Sequence, residues 1–227
     1  KEYRRQRQMC IRDRAYNPNT RFIIALDGPS ASGKGSIGKM LASEFNLKYV
    51  QSGIVYRSLA YLCMINNIDV TDLKKIIELS KTDNLIELTK GVDLNQENIG
   101  NYTSQISTIP EVRASINKYL ILMIETYPRI LMEGRDIGTV IAKDADLKIF
   151  ITADVNKRAE RRYKQLHEEG KKCTLKDVLQ LLKERDLRDS TRIADPLAIA
   201  SDAFVIDTSH MNQDQVIANI KNYIELS

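Results

Sequence analysis

Nine consecutive residues, Gly28-Pro29-Ser30-Ala31-Ser32-Gly33-Lys34-Gly35-Ser36, have the types and spacing to hold phosphate. They follow the apolar run Phe22 to Leu26 and open a helix-period stretch that reaches about Phe45, so a strand should lead into a glycine-rich turn and a helix should lead out of it. Glycines there let successive backbone N–H groups converge on phosphate oxygens, and the helix N-terminus adds partial positive charge. Lys34 would span the β- and γ-phosphates of a nucleoside triphosphate and is expected to stand exposed at the loop. Gly35 follows Lys34 directly, so the hydroxyl that would face Mg²⁺, directly or through water, comes one position later, at Ser36. The strict G-K-[ST] form is therefore not met, and no Asn-Lys-x-Asp guanine-reading string is present. A ligand-free glycine turn is the plain alternative, and the flanking strand and helix argue against it.

Further charged residues could serve an acceptor. Arg135 and Asp136 directly follow the apolar run Arg129 to Met132, which places them at the C-terminal edge of a sheet, where open α/β folds bind ligands. A structural ion pair is the competing use. Arg185, Arg188 and Arg192 are spaced i, i+3 and i+7, with Asp189 four residues after Arg185, so one helix stripe would carry the set. A solvated salt-bridge face would look similar. Arg158, Arg161 and Arg162 lie on another helix at i, i+3 and i+4, where an ordinary basic face is the alternative. With Gln165 to Thr174 between them, these two helices would form a lid over ATP, with Arg158 and Arg162 turned to the donor. His167 and His210, the two histidines, fit no nucleophile or metal pattern and read as surface or packing residues.

The elements that must position these groups follow from short apolar runs at Phe22 to Leu26, Leu47 to Val50, Arg129 to Met132, Leu147 to Ile151 and Ala203 to Ile206. Each is bounded by polar residues or glycine and separated from the next by helix-period stretches, the pattern of buried parallel strands in a doubly wound sheet. The fold class is therefore α/β: a five-stranded parallel sheet flanked by helices, with a small insertion on the acceptor side and a helical lid. The insertion covers about 71–110, with Asp72 to Leu79 helical, Leu85 to Thr89 a short strand and Gly91 to Gly100 turn-rich. The lid and its flanking helices cover about 156–192, and an apolar stripe at Leu175, Val178, Leu179 and Leu182 marks the core face of the second helix.

A length of 227 residues suits one α/β domain, 21–227, preceded by a 1–20 extension. That extension is Arg-rich, lacks an apolar stretch of signal-peptide type, and is expected to be disordered or foreign to the fold and dispensable for stability. It also holds all of the formal charge of +4, because Lys1, Arg4, Arg5, Arg7, Arg12 and Arg14 face only Glu2 and Asp13. The remainder is balanced at 28 basic and 28 acidic residues, which argues against a nucleic-acid partner. No apolar run approaches the roughly 20 residues of a membrane span, and Cys10, Cys63 and Cys173 lack C-x-x-C spacing, so a cytoplasmic protein with unpaired thiols and no membrane partner is expected.

Three longer motifs narrow the reading. Gln51-Ser52-Gly53-Ile54-Val55-Tyr56-Arg57, Glu133-Gly134-Arg135-Asp136-Ile137-Gly138-Thr139-Val140 and Glu184-Arg185-Asp186-Leu187-Arg188-Asp189-Ser190-Thr191-Arg192 resemble, in order and spacing, the signatures of bacterial cytidylate kinases within the P-loop nucleoside monophosphate kinases. Ser104-Gln105 and Pro110 to Arg113 extend the match over most of the chain after Arg21. The resemblance implies ATP-dependent phosphorylation of CMP, and of dCMP, by a monomer that uses Mg²⁺. It places the donor at Gly28 to Ser36, the CMP phosphate on Arg57 and Arg135 beside Ser52, and the cytosine on Ser104, Arg113 and Asp136. Arg185 and Asp189 would lie near the sugar, and Lys34, Arg135, Arg185 and Arg192 would carry the catalytic charge. Two departures stand out: Gln51 replaces a usual Asp, and the insertion between Asn84 and Asn101 is shorter than the common form, which leaves less room for an extra sheet.

Since the acceptor is already a phosphate oxyanion, transfer needs positioning and charge neutralisation rather than a general base or a covalent intermediate. The competing readings are a kinase for another small acceptor, such as UMP, AMP or shikimate, and, from a different class, a GTPase-like switch or a nucleic-acid-binding ATPase. The Gly35 offset, the missing guanine motif and the balanced charge weigh against the second class.

Overall fold

The computed structural model describes residues 11–227, so Cys10 and the first half of the 1–20 extension lie outside the described residues. Five strands, β1 (Phe22–Asp27), β2 (Lys48–Gln51), β3 (Arg129–Gly134), β4 (Leu147–Thr152) and β5 (Phe204–Asp207), form one parallel sheet in the order β2-β3-β1-β4-β5. All five expected runs are strands. β1 is central and wholly buried, which is why it reads as a continuous apolar run rather than as an alternation. Its alternate residues serve two cores: Ile23 and Ala25 face one side of the sheet, and Phe22, Ile24 and Leu26 face the other. Fully burying side chains of this size contributes about 1.5–3 kcal/mol each.

On the second side lie α2 (Lys34–Glu44) and α10 (Gln213–Glu225). The first side is covered by α3 (Ser52–Ile65), α4 (Leu73–Ser80), α6 (Glu97–Ile106) and α7 (Pro110–Thr126). A π-helical turn, Ile137–Ile141, follows β3 directly. The helices α8 (Val155–Glu168) and α9 (Leu175–Thr191) form a separate unit with its own small core of Ala159, Leu166, Val178 and Leu182. Reciprocal bonds between Thr174 and Asp177 cap α9. This helix pair occupies the segment for which a lid is expected.

The insertion differs from expectation. Residues Leu85–Leu88 form the one-turn helix α5 rather than a strand, and the described residues of the insertion contain no strand. Asn84 enters α5 in the left-handed region at φ 63°, Leu85 is buried, and the Thr89 hydroxyl donates to the Leu85 and Ile86 carbonyls, so the segment satisfies its polar groups locally.

The boundary at residue 20 also needs correction. Residues 11–16 form a helix, α1, in which Ala15 is 1% exposed within the core against α2 and α10. The Tyr16 ring meets Phe45 edge-on at 5.4 Å. At the start of β3, the Arg129 guanidinium donates to the carbonyls of Arg14, Ala15, Asn17, Thr20 and Phe45. Arg14 pairs with Asp146, whose other oxygen accepts from the Ile23 N–H at 2.8 Å. Ala15, the Tyr16 ring, the Arg14 ion pair and a set of backbone carbonyls do this anchoring, and so short a segment leaves no extended apolar periodicity for a sequence pattern to detect.

Candidate active site

The donor loop runs from the end of β1 to the start of α2. Gly28 sits at φ +149°, and a Cβ there would stand 2.0 Å from the Ile151 carbonyl oxygen of β4, so glycine is the residue that fits this close backbone approach. Gly33 caps α2 in the left-handed region at φ 91°. The backbone N–H groups of Ser30, Ala31 and Ser32 donate to no other described residue, and the first turn of α2 carries no acidic side chain. Together they form an anion cradle.

Lys34 is buried rather than exposed: its Nζ donates to the Pro29 carbonyl at 2.7 Å and approaches the Ser32 hydroxyl at 3.4 Å. Burial, reinforced by Arg135 and Arg185, holds its ammonium well below the usual lysine range, and Glu133 and Asp27 oppose that shift. An incoming triphosphate would supply the counter-charge that this cation lacks. Ser36 is exposed one residue beyond Gly35, with its hydroxyl free to face a cation. Among the described residues no group of three or more His, Cys, Asp or Glu could hold a metal alone. That donor set fits Mg²⁺, which keeps most of its ligands as water and phosphate oxygens.

Beside the loop, a cavity of 180 Å³ is lined by Ser52, Arg57, Arg113, Arg135, Asp136 and Arg185, with Asp189 and Arg192 completing its charged wall. Asp136 accepts from Arg113 Nη2 at 2.5 Å and from Arg192 Nη2 at 3.2 Å, and the Arg113 Nε bonds Asp195 at 2.9 Å. Burial pushes the Asp136 carboxyl up, while Arg113 and Arg192 pull it back. Arg135 Nε donates to Asp189 at 3.0 Å. Burial alone would raise the Asp189 carboxyl, yet Arg135, Arg185 and Arg192 hold it below the ordinary range. Arg185 has a buried Nε with no partner among the described residues, and burial beside Arg135 brings its guanidinium down to about 10. Arg57 donates to the Leu94 carbonyl at 2.8 Å. Cations outnumber carboxylates here, and the site is built for an anion.

A second cleft, of 340 Å³, lies between the donor loop, the insertion and the lid; its lining includes Ser30, Ala31, Ser104, Arg162 and Arg188. Arg57, Asn95 and Arg185 line both spaces and form the wall between them. The sequence-derived set is therefore mostly brought together, with three adjustments. Ser104 faces the second cleft and accepts from Arg188 Nε at 3.0 Å, away from Arg113 and Asp136. Arg158 is buried with its guanidinium committed to the carbonyls of Ala153 and Ser30 and to Asp186, so it braces the donor loop against the lid. Arg192 follows the end of α9 as its C-cap with extended backbone, so the stripe of three arginines turns out of the helix at its last member.

Several residues of the site were given no role by sequence. Gln51 donates its amide N–H to Tyr49 at 2.9 Å and to Glu133 at 3.1 Å, and Tyr49 donates to the other Glu133 oxygen at 2.7 Å. A Cβ on Gly35 would lie within 3.4–3.7 Å of these three groups, so they pack directly beneath the first turn of α2. Tyr56 is buried in the wall of the 180 Å³ cavity under Arg113, with a hydroxyl that has no described partner. Asp27, the last residue of β1, is buried and accepts two backbone N–H bonds. A carboxylate closing an otherwise apolar strand, one residue before the glycine turn, was the available signal.

Comparison with known proteins gives a consistent outcome. A family profile described as "Cytidylate kinase" matches residues 24–226. A protein named "Cytidylate kinase" from Rickettsia rickettsii (strain Sheila Smith) is 54% identical over 215 residues, 95% of this chain and 97% of its own length. Another of that name from Rickettsia canadensis (strain McKiel) is 52% identical over 218 residues, 96% and 99% of the two lengths. Among solved structures, an uncharacterized protein from Eubacterium ventriosum ATCC 27560 superposes with a TM-score of 0.53 at 15% identity, covering 90% of this chain and 98% of that one. TT1252 from Thermus thermophilus gives 0.50 at 14% identity, covering 92% and 100%. At such identities the two structures speak for the fold alone.

Proposed function

The chain belongs to the cytidylate kinase family and catalyses ATP-dependent phosphorylation of CMP, and from that premise we propose how its two clefts divide the reaction. The observation that carries the division is the cation-rich 180 Å³ cavity beside an anion-cradling loop, with Arg57, Asn95 and Arg185 forming a shared wall. Arg57 and Arg135 hold the CMP phosphate. Arg113 and Asp136 meet the cytosine edge, Asp136 accepting from the exocyclic amino group, and Arg185 with Asp189 meets the sugar. Ser104 joins the base when the lid closes and Arg188 releases it. The sugar contacts admit dCMP as well.

Lys34 turns from the Pro29 carbonyl to the β- and γ-phosphates of ATP, whose oxygens also meet the N–H groups of residues 30–32. Ser36 would hold Mg²⁺, which neutralises charge on the phosphates when bound. Arg162 closes from the lid, while Arg158 keeps the lid tied to Ser30. The acceptor oxyanion then attacks the γ-phosphorus in line; Arg135, Arg185 and Arg192 stabilise the charge spread over the transferring group, and the closed lid excludes water. No general base is needed, and His167 and His210 are both exposed.

We place this activity in a cytoplasmic monomer with no nucleic-acid or membrane partner; no helix of the described residues is long and apolar enough to cross a membrane. A coupled assay across CMP, dCMP, UMP and AMP tests the acceptor assignment. Comparable turnover of UMP or AMP would overturn it.

A further inference from the structure

Asp27 closes β1 immediately before the first glycine of the donor loop, and its side chain is buried at 4% exposure. Its Oδ1 accepts from the Ile137 N–H at 2.9 Å and its Oδ2 from the Gly138 N–H at 2.7 Å. Those two N–H groups open the π-helical turn that follows Arg135 and Asp136 without a gap. One carboxylate thus joins the backbone that starts the ATP loop to the backbone that carries the acceptor pair. Gly138 makes the contact possible, since a Cβ there would stand 3.3 Å from Oδ2 and 3.2 Å from Lys148 Cδ.

We propose that Asp27 is a positioning residue that sets the acceptor pair Arg135–Asp136 against the donor loop, so that the CMP phosphate meets the γ-phosphorus in line. The inference rests on the acceptor and donor assignments above and adds the element that aligns them. Neither oxygen of Asp27 faces a substrate cavity, so it acts through the two segments it joins. In-line transfer is sensitive to such alignment: a displacement of about 1 Å between reacting groups costs on the order of a hundredfold.

The protonation state enters through the same bonds. A carboxylate accepts on both oxygens, whereas the neutral acid has one oxygen carrying a proton and presents it to an N–H. Burial raises the Asp27 carboxyl to about 6, against the lowering effect of the Gly138 and Ile137 N–H groups. Asp136, from the turn, adds to the rise, and Lys34, from α2, opposes it. Lys148 of β4 packs at Gly138 but is paired with Asp202, while Glu133 and Arg135 flank the partner position on β3. At neutral pH the clamp is therefore closed, and below about pH 6 it opens.

The test compares Asp27→Asn with the wild type by calorimetric binding of ATP and CMP, each alone, and by kcat between pH 5 and 8. Asn presents an N–H2 where one acceptor oxygen was and mimics the protonated acid. The expected result is dissociation constants for both ligands within about threefold of wild type and kcat lower by roughly ten- to a hundredfold at pH 7.5. The wild-type to variant ratio of kcat should shrink toward one below pH 6, with the titration of the CMP phosphate itself cancelling in that ratio. A ratio constant across pH, or a loss of ATP or CMP affinity equal to the loss in kcat, overturns the proposal. If Asp27→Asn does not fold, Gly138→Ala carries the test, because its Cβ pries the same contact apart and should lower kcat with binding retained; unchanged kcat in that variant overturns it too. Arg135→Ala, read for CMP affinity alone, tests the acceptor assignment separately.

Discussion

Replacing Asp136 by Asn probes base recognition where the structure makes the perturbation calculable. Asp136 is 6% exposed and bridges Arg113 and Arg192, both almost fully buried. Asn keeps the volume and one acceptor oxygen but removes the charge. Each arginine keeps other partners, Arg113 on Asp195 and the Ser107 carbonyl and Arg192 on the Asp195 carbonyl, so neither guanidinium is stranded. The full loss of a buried partner typically costs 3–5 kcal/mol, and the retained contacts put this variant below about 3 kcal/mol, or a Tm drop of less than about 12 °C. Selectivity should change more sharply. An acceptor at Asp136 rewards the amino group of cytosine and repels the O4 carbonyl of uracil, whereas an amide can turn to donate to O4. A hydrogen bond to a charged group contributes about 1.5–3 kcal/mol, so the CMP over UMP ratio of kcat/KM should fall by roughly ten- to a hundredfold. The assay is kcat/KM for both acceptors at saturating ATP and Mg²⁺, with Arg135→Ala expected to weaken both together. Equal losses for CMP and UMP in Asp136→Asn would refute base reading by Asp136.

Three further outcomes are expected. Lys34→Ala should lower kcat by about a hundred- to a thousandfold and leave Tm unchanged or raised, because it also removes a desolvated cation; full activity in the folded variant would reject the donor assignment. Removing residues 1–20 strips Arg129 of four of its five carbonyl partners, takes Ala15 out of the core and uncovers Phe45, so stability should fall by about 2–4 kcal/mol with kcat at 25 °C preserved; an unchanged urea midpoint would show that α1 adds nothing. Asp27 gives a pH signature in stability. Its folded carboxyl titrates near 6 against an ordinary value near 3.8, so the native state holds a proton that the unfolded chain releases, and stability drops as pH rises through that window. Between pH 4 and 7 the wild type should lose about 2–3 kcal/mol relative to Asp27→Asn, and parallel curves would sink that assignment.

What sequence could read was governed by local chemistry. The donor loop was legible because glycine spacing, a preceding apolar run and a following helix are all local. The β3 edge was legible for the same reason, and the strand-by-strand reading of the sheet held. Leu85 to Thr89 misled because a short apolar run fits strand or helix, and a sheet edge, absent there, decides between them. The burial of Lys34 was invisible because it depends on a carbonyl five residues back turning inward. The roles of Arg158 and Arg129 were illegible for a related reason: both bind backbone carbonyls, and the letters of a sequence do not show where a carbonyl points.

The contact of Gly28 with the Ile151 carbonyl has a bearing on how the chain matures. The donor loop takes its shape against β4, roughly 120 residues further along, so at 5–20 residues per second the chain is made for roughly 6–25 s before that wall exists. A nascent chain that has paired β1 with nothing cannot yet cradle a triphosphate. ATP in the cell therefore rewards only molecules whose central strands have already met, and its binding energy adds to the complete sheet without stabilising partly made ones. Pulse-labelled translation intermediates truncated before residue 147 should ignore ATP in limited proteolysis, while chains released at full length should gain protection from it.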